Sequence, residues 1–69
     1  MKLDLHGVRH HEVENMVENF ILMNQSSFPL TIICGNSDKM IKLVNSVTDK
    51  LDCETHMYVF GQVIVRRFK

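Results

Sequence analysis

The sequence predicts an α/β protein: a two-layer sandwich of order β-α-β-α-β-β, with a mixed four-stranded sheet and both helices on one face. Two segments with apolar residues at helical spacing predict the helices, and four short runs of alternating or β-branched residues predict the strands. Strands joined by a crossover helix are parallel, whereas strands joined by a two-residue turn are antiparallel. Two helices cannot cover both faces of four strands, so we expect them to share one face.

The composition fits one domain spanning residues 1–69. Hydrophobic residues make up 45% of the chain, which is enough for a packed core. Eight basic residues balance eight acidic ones, so a phosphate-binding surface requires local segregation of charge. No signal peptide or membrane-spanning run is evident, and we expect a cytoplasmic monomer with Cys34 and Cys53 as free thiols.

The first strand is predicted over residues 2–6, where Leu3 and Leu5 share one face and Gly7 ends the strand. A helix over 10–24 follows, with acidic residues near its start and a loop after it. Its apolar face consists of Val13, Met16, Val17, Phe20 and Ile21.

Residues 30–34 are almost wholly apolar, which favours a central strand covered on both sides or nearly so. Gly35 then starts a turn, and Ser37 is placed to cap a helix over 38–51. The apolar face of that second helix consists of Met40, Ile41, Val44, Val47 and Leu51.

The last two strands are predicted over 54–60 and 63–68, with Gly61 at the first central position of a type II′ turn. Adjacent strand residues point to opposite faces, so we expect Arg66 and Arg67 not to form one patch. This basic end is either a solvated strand end or a contributor to nucleic-acid backbone binding.

Asp4 and His6 are the first candidate for chemistry. Alternation on a strand places both on one face, about 6.5–7 Å apart, near the carboxyl end of a parallel strand where open α/β sheets bind ligands. A carboxylate near an imidazole can orient it for general acid–base catalysis, and Gly7 allows the chain to turn tightly after the pair. The alternative is that both residues form only the solvent face of an edge strand.

Gly35, Asn36 and Ser37 are the second candidate, because free amides at the start of the second helix can bind a phosphate. The two loops follow parallel strands, so their tips should be neighbours. Arg9 and Lys39 would add positive charge there. The alternative is an ordinary turn with a helix cap.

These residues resemble the Smr (small MutS-related) family. Leu3 to Gly7 reads LDLHG, which matches the family's first motif, and Gly35 matches the first glycine of its second, TGxG-type motif. Cys34 replaces the usual Thr, and Ser37 stands where the second glycine is expected. The resemblance extends over the chain; Glu12 falls where the family's helix-opening pair begins, and the segment from Tyr58 to Val65 is similar to the last hairpin.

The resemblance implies a fold similar to the C-terminal domain of bacterial translation initiation factor three. It also implies nucleic-acid binding and, in several members, endonuclease activity on DNA or RNA. Asp4 and His6 match the residues tied to cleavage. We therefore expect a stand-alone, minimal Smr-like domain with endonuclease activity, in which His6 is the general acid or base and Asp4 orients it or helps to hold a divalent cation such as Mg²⁺.

Two alternatives stay open. A non-catalytic module that binds structured RNA or a protein partner fits the altered second motif and the balanced charge. A His-based metal site would use His6 with His10 and His11, although adjacent helical residues diverge by about 100°.

Overall fold

The computed structural model describes residues 1–69, which form seven short elements. Strands β1 and β2 span Lys2–Asp4 and Leu30–Ile33, and strands β3 and β4 span Cys53–Val59 and Gln62–Phe68. Helices α1 and α2 span His10–Met23 and Asp38–Lys50, and a 3-10 turn covers Gln25–Ser27. The element order is the one that the sequence predicts.

The strands form one mixed sheet of order β1-β2-β4-β3. β1 pairs with β2 in parallel, as expected for strands joined by a crossover helix. β4 is antiparallel to both of its neighbours, so β1, β2 and β3 all run in the same direction. The carboxyl ends of those three strands therefore lie at the same end of the sheet.

Both helices cover the same face of the sheet, which confirms the two-layer architecture. One apolar core joins α1, α2 and the strands, and its strand members occupy alternate positions on β2 and β4. The fully buried members of this core are Leu5, Val13, Val17, Ile21, Leu30, Ile32, Val44, Val47, Val63 and Val65. β2 is central, as expected, but only one of its faces is covered by helices.

The opposite face of the sheet, called here the uncovered face, carries no helix. Cross-strand pairing aligns Lys2, Thr31, Ile64 and His56 in one row across all four strands. The next row, nearer the end of the sheet where β1, β2 and β3 terminate, contains Asp4, Ile33, Gln62 and Val59.

A β-bulge in β4 overturns the prediction that Arg66 and Arg67 point to opposite faces. Glu54 pairs with Arg67 and Thr55 pairs with Val65, so Arg66 is an extra residue with no partner on β3. Both arginines approach the same carboxylate: the Nη2 of Arg67 lies 3.1 Å, and the Nη1 of Arg66 3.8 Å, from the Glu54 oxygens. The bulge therefore brings two guanidinium groups to the side of the sheet that carries Glu54.

The β3–β4 turn lies one residue earlier than predicted. Val59 pairs with Gln62, so Phe60 and Gly61 are the central residues, and the positive φ of +88° belongs to the second of them. A type II′ turn needs its positive φ at the first central position. A second bulge between His56 and Val59 shifts the register and moves the turn.

Neither helix has the length and apolar character needed to cross a membrane.

Candidate nucleic-acid site

A pocket of about 220 Å³ opens where β1 and β2 end, and its lining includes Asp4 and His6 from the first part of the predicted site and Gly35 from the second. Asp4, His6 and Gly35 line it together with Ile33 and Cys34. The two loops that follow the parallel strands are thus neighbours, as the topology predicts. Asp4 and Ile33 also belong to the uncovered face, so the pocket is continuous with that face.

Asp4 and His6 do not share a strand face, because β1 ends at Asp4 and His6 lies in the following turn. The Asp4 Oδ1 accepts a hydrogen bond of 2.9 Å from the backbone N–H of His6. This bond closes a turn of the kind that aspartate side chains favour, and it replaces a continued strand. The imidazole of His6 makes no hydrogen bond or ion pair with Asp4, so both side chains remain exposed and available to a ligand.

The segment from Gly35 to Lys39 presents a row of backbone amides without partners. The N–H groups of these five residues donate no hydrogen bond within the protein. Gly35 has a φ of +70°, and Gly35 and Asn36 are exposed. Such a row at the start of a helix, beside a pocket, has the geometry and the partial positive charge to bind a phosphate oxygen.

Ser37 caps α2, which confirms the cap predicted from the sequence; its other predicted role is to bind phosphate. Its Oγ accepts a hydrogen bond of 3.1 Å from the N–H of Met40. The hydroxyl proton is not consumed by this bond and can still be donated to a ligand. Lys39 is exposed in the first turn of α2 and takes part in no ion pair.

The remaining predicted residues do not line the pocket. Gly7 has a φ of +79° in the turn after His6, with no atom near its missing side chain. Arg9 precedes α1, is exposed and forms no ion pair. His10 and His11 begin α1, and no group of three or more His, Cys, Asp or Glu side chains comes together to hold a metal ion.

Cys34 lines the pocket as a neutral thiol. Burial raises the pKa of its thiol, and its Sγ lies 3.9 Å from the carbonyl oxygen of Ile32. A protonated thiol is a poor nucleophile at neutral pH, so Cys34 contributes shape and apolar surface to the pocket.

Gly61 fixes the position of the second loop, a role that local sequence reasoning does not reveal. Its carbonyl oxygen accepts a hydrogen bond of 2.6 Å from the N–H of Cys34. A Cβ at Gly61 would lie 2.3 Å from the carbonyl oxygen of Gly35. The β3–β4 hairpin therefore packs backbone to backbone against the pocket loop. The sequence shows that residue 61 is a glycine, but it does not show that this glycine packs against the loop at Gly35.

Charge is unevenly divided between the two layers of this neutral protein. The two helices hold five carboxylates and three cationic side chains, while the strands and loops hold three carboxylates and five cationic side chains. The carboxylates of α1 account for most of this difference, since that helix contains three Glu and no Lys or Arg. The strands and loops therefore carry an excess of two positive charges (five cations against three carboxylates), and the helices an equal excess of negative charge.

Comparison with protein-family models, with curated proteins and with solved structures found no match to this chain.

Proposed function

We propose that this protein is a nucleic-acid-binding domain of the Smr type whose pocket hydrolyses a phosphodiester bond. The observation that carries the proposal is the pocket where β1 and β2 end, in which an exposed imidazole and an exposed carboxylate stand beside unpartnered backbone amides. This combination pairs groups that can move a proton with groups that can hold a phosphate.

The amides of Gly35 to Lys39 supply the phosphate site. A phosphate at the mouth of the pocket accepts hydrogen bonds from these N–H groups and lies near the amino end of α2, where the helix dipole favours negative charge. Lys39 and Arg9 add cationic side chains that are free of ion pairs.

His6 supplies the acid–base chemistry. In hydrolysis, a water oxygen attacks phosphorus and the bond from phosphorus to the leaving oxygen breaks. The imidazole takes the proton from the attacking water or gives a proton to the leaving oxygen. Asp4 holds the backbone of His6 and so fixes the position from which the imidazole works. Asp4 is also the one carboxylate lining the pocket, and Mg²⁺ can bind a single carboxylate together with phosphate oxygens and water.

The hydrogen bond from the His6 N–H to the Asp4 carboxylate also supports a second function. Because Asp4 bonds to the backbone of His6 and not to its imidazole, the pair lacks the carboxylate–imidazole hydrogen bond that would orient a base. A domain that binds structured RNA or a protein through this pocket without chemistry would have no need of that bond.

The first experiment is an NMR titration of labelled protein with a short single-stranded RNA, a duplex DNA and a branched DNA at low and moderate salt. Nucleic-acid binding predicts shifts at Asp4, His6, Arg9 and Gly35–Lys39 that fade as salt rises, because phosphate contacts release counterions. No shift with any of the three would refute the nucleic-acid proposal and would leave a protein partner as the alternative.

The second experiment separates hydrolysis from binding. His6→Ala should lower the cleavage rate about 100-fold or more, the contribution typical of a general acid or base, while nucleic-acid binding is retained. His10→Ala is the matched control, since that imidazole is also exposed but lies at the start of α1 outside the pocket. A His6→Ala protein that cleaves as fast as the His10→Ala protein would leave the binding module as the function.

A further inference from the structure

Three large apolar side chains are exposed at the β3–β4 hairpin. Tyr58 is 70% exposed, and Val59 and Phe60 are each 59% exposed. The ring of His56 lies against the ring of Tyr58, with 4.0 Å between their centroids. Their planes are inclined at 41°, so the protein keeps a pair of adjacent, tilted rings in contact with solvent.

These rings lie on a continuous surface that ends at the proposed phosphate pocket. His56 pairs with Ile64 on the uncovered face, and Val59 pairs with Gln62 in the row that also contains Asp4 and Ile33. Asp4 and Ile33 line the pocket. The rings thus occupy β3, at the edge of the sheet, and the pocket opens at the end of β1 and β2 on the same face.

Positive charge marks the other end of the same strands. Arg66 and Arg67 converge on the single carboxylate of Glu54, so one of the two cationic charges is left unbalanced. From Gln62 to Arg66 the strand covers roughly 14 Å. Cations, the His56–Tyr58 ring pair and the pocket therefore follow one another across the uncovered face.

We propose that the uncovered face binds an unpaired strand of nucleic acid: bases stack on Tyr58 and His56, Arg66 and Arg67 contact phosphates, and the strand enters the pocket at Asp4 and His6. This inference rests on the proposed function and adds to it the class of substrate. Aromatic side chains with cations beside them are the usual means of holding single strands, because every unpaired base has a flat face to stack.

The charge of the surface favours this occupant over an apolar protein segment. A protein interface concentrates apolar side chains and depletes charge at its centre. The uncovered face instead carries Lys2, Glu54, Arg66 and Arg67 in addition to its rings. A base-paired duplex hides the faces of its bases, so it would gain nothing from the rings.

Tyr58 reports directly on this contact because it is the one tyrosine in a chain without tryptophan. Its ring gives a single set of tyrosine signals by NMR. Titration with single-stranded RNA or DNA of about eight nucleotides, a length within the range of single-strand sites, should move those signals upfield as a base stacks on the ring. An abasic strand of equal length should leave them in place.

Binding affinities of variants test the energetic contribution. Tyr58→Ala should weaken single-strand binding about 5- to 150-fold, the range that corresponds to one base–aromatic stack, while Tyr58→Phe should keep the wild-type affinity. The matched control is Met23→Ala, a side chain 82% exposed on the helical layer, which should change nothing. Comparison of the RNA and DNA strands then decides which of the two binds more tightly.

Glu54→Gln tests the arginine contacts with the opposite sign. Removing the carboxylate frees both guanidinium groups for phosphate, so single-strand affinity at low salt should rise by about 1.5- to 5-fold, the range of an exposed ion pair. If these ion pairs have only a structural role, the single-strand affinity of Glu54→Gln should not rise.

The results separate this inference from the proposed function. Duplex binding that shifts the pocket residues, with single-strand affinity unchanged in Tyr58→Ala, would overturn the stacking surface and leave the proposed function in place. Absence of binding to every nucleic acid tested would overturn both. Tyr58 signals that move with protein concentration alone would show that a second copy covers the rings, and would also overturn the inference.

Discussion

Replacing Gly61 by alanine should destabilise the protein more than the same change at Gly7 or Gly35. Gly61 has a φ of +88°, and a Cβ there would lie 2.3 Å from the oxygen and 2.9 Å from the carbon of the Gly35 carbonyl. Both neighbours are backbone atoms of the pocket loop, so they cannot rotate away as a side chain would. The substitution must therefore separate the β3–β4 hairpin from that loop.

The expected loss has two parts. The left-handed backbone costs a residue with a Cβ about 1–2 kcal/mol. Forcing extra atoms into a close-packed contact costs about 1–3 kcal/mol more. Gly61→Ala should then lower the free energy of unfolding by about 2–5 kcal/mol. Separation of the two loops would also weaken the 2.6 Å hydrogen bond from the Cys34 N–H to the Gly61 carbonyl.

Urea unfolding of matched variants isolates the steric part. Gly7 has a φ of +79° and Gly35 a φ of +70°, and both have open space around the missing side chain, so alanine there should cost the backbone part alone. An osmolyte can restore a folded baseline if Gly61→Ala is too unstable in buffer. A Gly61→Ala protein no less stable than Gly7→Ala would refute the close packing of the hairpin against the pocket loop.

Three further predictions concern stability. Ser37→Ala removes the side-chain acceptor for the Met40 N–H and should cost about 1 kcal/mol in urea unfolding; Ser37→Asp, which keeps an acceptor, should not. Asp52 has a φ of 58° at the end of α2, so Asp52→Gly should raise the free energy of unfolding by about 0.5–1 kcal/mol, and a loss would show that the carboxylate makes a stabilising contact. Burial raises the pKa of Cys34 and Cys53 in the folded protein, with the Asp52 charge contributing at Cys53. The folded state therefore holds thiol protons that the unfolded state has lost, and stability should fall as the pH rises past the ordinary thiol pKa of about 8.5. The double variant Cys34→Ala, Cys53→Ala should show a shallower alkaline decline than wild type, and an equal decline would exclude the thiols as its cause.

The sequence predicts the elements well because their signals are local. The apolar spacing of α1 and α2, the Ser37 cap and the β-branched run at Leu30–Ile33 each involve residues within a few positions of one another. The parallel pairing of β1 and β2 follows from the crossover helix, and it brings Asp4, His6 and Gly35 to one pocket. Membership of that pocket was thus predictable from topology, whereas its role in binding and cleavage stays a prediction.

Local reasoning fails at Asp4, where the side chain competes with the strand. Alternation predicts a strand through His6, but the Asp4 carboxylate bonds to the His6 amide and turns the chain. The two side chains consequently do not share a strand face. The sequence contains the aspartate that makes this turn. Apolar periodicity alone, however, does not show whether the hydrogen bond from the His6 N–H to Asp4 is more stable than a strand that continues to His6.

The sequence alone was enough to predict the element order, the amphipathic faces and the end of the sheet where the candidate residues lie. Only the tertiary structure placed β4 between β2 and β3, brought Gly61 against Gly35, and turned Arg66 and Arg67 toward one carboxylate. These features depend on pairing register and bulges, which are set when strands distant in sequence meet. A shift of one residue changes which side chains face solvent, and no local pattern in the chain encodes that shift.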